Sequence, residues 1–90
     1  MDFFVPLDVT PEALAQALAK VIYPEHPDAV ATLRPDGWWD LCDETNDFLL
    51  RPWDTARYAT QWQFCARYGA GLDRLARVRA VVESLGGWVA

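Results

Sequence analysis

The tetrapeptide Arg34-Pro35-Asp36-Gly37 leaves the chain few options at that point. Proline sets φ near about −65° at the second position of a turn, and glycine accepts a positive φ at the fourth. Together they predict a type I turn closed by a bulge, hence a hairpin. On its near side, residues 29–33 alternate weakly and carry β-branched Val30 and Thr32, which suits a strand. On its far side, residues 38–42 return as a second strand. Alternation puts Trp39 and Leu41 on one face and Trp38, Asp40 and Cys42 on the other. Asp40 marks the second face as the wet one, which sets Trp38 outside or at a rim. A polar stretch, Asp43-Glu44-Thr45-Asn46-Asp47, leads to a third strand at Phe48-Leu49-Leu50-Arg51, ended by Pro52.

Helical signals flank this meander. Thr10 can cap, Pro11 suits a first helical position, and Val9 lies five residues before Leu14 as a hydrophobic staple requires. The helix runs to about residue 23, because Pro24 disfavours helical geometry in the residue before it. Its polar residues Glu12, Gln16 and Lys20 form one narrow stripe. Such a helix is packed on two sides or faces a partner. Asp54 or Thr55 can cap a second helix over about 55–68, with glycines at 69 and 71 breaking it. A last helix over about 72–85 sets Leu75, Val78, Val82 and Leu85 on one face, and Gly86-Gly87 stops it. Phe3-Phe4-Val5 reads as an edge strand or an apolar plug, and Trp88-Val89 folds back. The expected fold is one α+β domain over residues 1–90, ordered α-β-β-β-α-α, with a three-stranded antiparallel meander packed on helices.

Ninety residues with 52% apolar side chains can bury one core, and no apolar run approaches a membrane span. The start lacks the positive segment of a secretory signal, so the expected location is the cytoplasm. There Cys42 and Cys65, which fit no metal spacing, are expected as reduced, apolar residues. The net charge is −5, unevenly spread. Through Phe48 the acids face only Lys20 and Arg34; beyond it six arginines outnumber Asp54, Asp73 and Glu83.

No catalytic signature emerges. His26 is the lone histidine and sits between two prolines, a stiff connector ill placed for a nucleophile pair. Carboxylates at 40, 43, 44 and 47 lack the asymmetric surroundings of acid–base pairs, and their order does not match a calcium loop. No phosphate-cradling glycine loop is present. The expectation is a non-enzyme with no cofactor and no metal.

Binding is better supported, because five tryptophans and seven arginines are many for so short a chain, and both types concentrate at interface hot spots. The first candidate surface is Trp38 among Asp36, Asp40, Asp43, Glu44 and Asp47. The second is one face of the expected second helix: Arg57, Gln61, Phe64 and Tyr68. The leading expectation is a small acidic protein-binding module, an inhibitor or adaptor of the phage or mobile-element kind. Its partner would be another protein with a basic surface, such as a host nucleic-acid-handling complex. The alternative is a nucleic-acid-associated module using Arg67, Arg74 and Arg77, which the acidic total charge disfavours. Self-association that buries spare surface of the first helix is a further expectation.

Overall fold

The computed structural model describes residues 1–22, 28–41, 48–54, 58–66 and 72–90. The order of elements is β1 (Asp2–Phe4), α1 (Pro11–Ile22), β2 (Thr32–Leu33), β3 (Trp39–Asp40), β4 (Phe48–Asp54), β5 (Tyr58–Ala66), α2 (Leu72–Ser84) and β6 (Trp88–Val89). The strands form one antiparallel sheet in the order β2-β3-β4-β5-β1-β6. The α+β class stands, but the expected order does not. Two helices and six strands replace three helices and three strands among the described residues.

The largest correction is at β5. Gln61-Trp62-Gln63-Phe64-Cys65 alternates with period two, and Trp62 and Phe64 are buried while Gln61, Gln63 and Cys65 are half-exposed. The stretch lies in an interior strand, bonded to β4 on one side and β1 on the other. The expectation of Phe3-Phe4 at an edge also fails. β1 is interior, and the edge beside it is β6, whose residues pair Val89 with Phe3 and Trp88 with Phe4. β4 continues through Pro52, where its register against β5 shifts. β3 reaches only as far as Leu50, so among the described residues the strand has one neighbour at Pro52, the setting in which proline is tolerated.

Local signals act where expected at the helix ends. The Ala13 N–H donates to Thr10 Oγ1 at 3.1 Å, and α1 begins at Pro11. α2 closes with a Schellman pattern: Gly86 N–H to the Glu83 carbonyl at 3.0 Å and Gly87 N–H to the Val82 carbonyl at 2.9 Å. Gly86 takes φ +86°, as that motif requires. At the hairpin, Gly37 also has φ +86°, with the Arg34 N–H donating to the Trp38 carbonyl at 2.7 Å.

One core joins both helices to the sheet. Leu14, Ala15, Leu18, Ala19 and Ile22 of α1 and Val78 and Val82 of α2 are buried with Phe3, Trp39, Phe48, Leu50, Trp62 and Phe64. α1 is thus packed against the sheet and α2, which accounts for its thin polar stripe. Paired residues share a face of a sheet. By that rule every described sheet residue of the core lies on the same face. The helices cover that face, and among the described residues none covers the other.

Candidate functional site

The helix-free face is where the candidates gather. The Arg34–Trp38 hydrogen bond and the pairing of Trp39 with Leu50 set Trp38 opposite Arg51, and Arg51 opposite Gln63. Asp2 follows opposite Gln63. These four side chains form a row across four strands, on the face away from the core. Beside it run Asp40, Leu49 and Cys65, and on the other flank Gln61, Phe4 and Trp88.

The row is tied together. Arg51 Nε donates to Gln63 Oε1 at 2.6 Å, and Cys65 Sγ, a free thiol, donates to the same oxygen at 3.6 Å. The Arg51 guanidinium lies 5.0 Å from the centre of the Trp38 ring, and that of Arg34 lies 5.9 Å from it. Each distance is within cation–π range. Asp36 orients the turn beneath them: its carboxylate meets Arg34 Nη2 at 3.2 Å and accepts the Trp38 N–H at 2.9 Å. Trp38 is therefore a half-buried ring held by two guanidinium groups. At the far end of the face, Trp88 is 58% exposed and stacks on Phe4 at 5.2 Å between centroids, 16° from parallel.

The expected acidic cluster is altered by this geometry. Asp40 was expected on a wet surface, yet it is only 4% exposed. Its backbone does alternate onto the face of Trp38, but alternation reports side, not depth of cover. Asp36 is exposed and engaged with Arg34. Asp43, Glu44 and Asp47 lie outside the described residues, as do His26 and Cys42. The charged groups seen over the ring are the guanidinium groups of Arg34 and Arg51.

Of the second expected surface, the two described members, Gln61 and Phe64, do not share a face. A helix would align Gln61 with Phe64, but β5 sends odd and even residues to opposite faces. Phe64 is 2% exposed in the core, and Gln61 is half-exposed on the helix-free face. Arg57 and Tyr68, the other two members, lie outside the described residues. Of the arginines offered for nucleic acid, Arg67 lies outside them too, and the Arg74 guanidinium sits 5.2 Å over the Phe48 ring. Arg77 is half-buried on α2.

Sequence reasoning missed Arg51, Gln63 and Trp88 as members of one surface. The available signal was the alternation at 61–65, which as a strand puts Gln61, Gln63 and Cys65 together. Chemically, the face offers aromatic surface, fixed guanidinium groups and amides, a set suited to recognition. Among the described residues no group of three His, Cys, Asp or Glu side chains converges as a metal site would need. No described helix is long and apolar enough to cross a membrane. Comparison with protein-family models, with curated proteins and with solved structures finds no match.

Proposed function

We propose that the chain is a non-catalytic protein-binding module, an inhibitor or adaptor of the cytoplasm, that engages its partner through the helix-free face of the sheet. The observation that carries this reading is Trp38, half-buried and flanked by Arg34 and Arg51. Tryptophan and arginine are the side chains that most often dominate binding energy at protein interfaces. A ring already immobilised loses little rotamer freedom on docking, so more of its contact energy appears as affinity. Trp88 supplies a second aromatic anchor at the opposite end of the same face. The net charge of −5 favours encounter with a basic partner.

Affinity capture with purified baits tests this reading. A partner protein is expected on the wild-type chain and on Arg79→Ala, a change on the exposed side of α2. It is expected to fall at least about tenfold on the double variant Trp38→Ala/Trp88→Ala, the loss of roughly 1.4 kcal/mol that one hot spot exceeds. Equal recovery on all three baits would remove the face from the account. Recovery of nucleic acid in place of protein would shift it to the arginine-based alternative.

A further inference from the structure

The β2 edge of the sheet is closed by a side chain. In antiparallel pairing, residues alternate between exchanging hydrogen bonds and turning their N–H and C=O groups away from the partner strand. The Arg34 N–H donates to the Trp38 carbonyl, so that pair is bonded. Stepping along the strand, Thr32 opposite Asp40 is again bonded, and Leu33 opposite Trp39 turns outward. Ala31, opposite Leu41, turns outward as well. The Leu41 N–H agrees with this phase, since it donates to the Phe48 carbonyl on the far side of β3 at 3.0 Å.

Ala31 therefore presents its main chain where an incoming strand would pair, and Gln16 of α1 is already there. Gln16 Oε1 accepts the Ala31 N–H at 2.9 Å, and Gln16 Nε2 donates to the Ala31 carbonyl at 2.9 Å. One side-chain amide thus supplies the donor and the acceptor of a neighbouring strand. Flanking it, Val30 is 61% exposed and Leu33 is 56% exposed. Apolar side chains beside unpaired edge groups form a template for strand addition.

We propose that Gln16 is an edge guard, occupying the outward main-chain pair of Ala31 and so keeping a second copy of this chain from adding its own β2. With Ala31 taken, Leu33 is the one outward pair left on β2, too little for a ladder. The inference is independent of the role proposed for the helix-free face. It gives Gln16, which in the sequence is part of a polar stripe, a task beyond solvation.

Light scattering over a concentration series, with circular dichroism reporting the fold, tests the guard. Gln16→Ala is expected to raise the average mass at least about twofold over wild type at high concentration. Adding Leu33→Pro should return it to the wild-type value, because that change removes an outward N–H and leaves the bonds to β3 in place. A folded Gln16→Ala chain with the wild-type mass at every concentration overturns the proposal. So does excess mass that persists in the double variant, since it then arises away from this edge. If Gln16→Ala does not fold, Gln16→Glu is measured by the same two criteria. It keeps the acceptor for the Ala31 N–H and loses the donor for its carbonyl.

Discussion

Gly87 has no room for a side chain. A Cβ built there would stand 2.1 Å from the Phe4 carbonyl oxygen and 3.0 Å from Val82 Cγ1. The first obstacle is main chain, which cannot rotate aside as a side chain would. Gly86, one residue earlier, has the positive φ but meets nothing closer than Pro6 Cγ at 3.4 Å. The two glycines are thus held by different physics, overlap at one and backbone conformation at the other. Gly87→Ala is expected to cost about 3 kcal/mol in urea unfolding, and Gly86→Ala about 1 kcal/mol. The reverse ranking would contradict the close approach of β6 to β1. At the other end of the chain, Thr10→Ala removes the cap on the Ala13 N–H and should cost about 1 kcal/mol, read in the same assay.

Among the elements, β5 decides both the fold and the site. The stretch at 55–68 carries helix-like punctuation, a capping residue before it and glycines after it, and those local signals outweighed its alternation. What makes Tyr58–Ala66 a strand is not local. It has β4 on one side and β1, from the far end of the chain, on the other. The hairpin at Gly37, the cap at Thr10 and the stop at Gly86-Gly87 were legible because each depends on a few adjacent residues. The interior place of β1 was not, since its partners lie some sixty residues or more away. The site divides the same way: Trp38 stands out as a candidate in the sequence, but Arg51 and Gln63 join it only through strand register. A substitution pair checks β5. Phe64→Ala should cost about 4 kcal/mol through the cavity it leaves in the core. Gln61→Ala, on the opposite face, should stay within about 0.5 kcal/mol. Similar losses at the two positions would favour a helix there.

For the whole molecule, the sheet works as a two-sided plate. One side carries every described core residue the sheet contributes, and the helices lie on it. The other holds Trp38 with Arg34 and Arg51, and Trp88 on Phe4. The charge of the chain acts at longer range than these contacts. Affinity for a basic partner is expected to fall roughly tenfold as ionic strength rises from about 0.05 to about 0.5 M, because screening shortens the reach of surface charge. Salt-independent affinity would leave the contacts on the helix-free face as the whole basis of binding. The most direct measurement is backbone amide chemical-shift mapping of the chain against its captured partner. Shifts are expected to concentrate at Trp38, Leu49, Arg51, Gln61, Gln63, Cys65 and Trp88, with Lys20 of α1 and Arg79 of α2 unmoved. Shifts concentrated on the helices, with those strand residues unchanged, would contradict the assignment of the binding surface to the helix-free face.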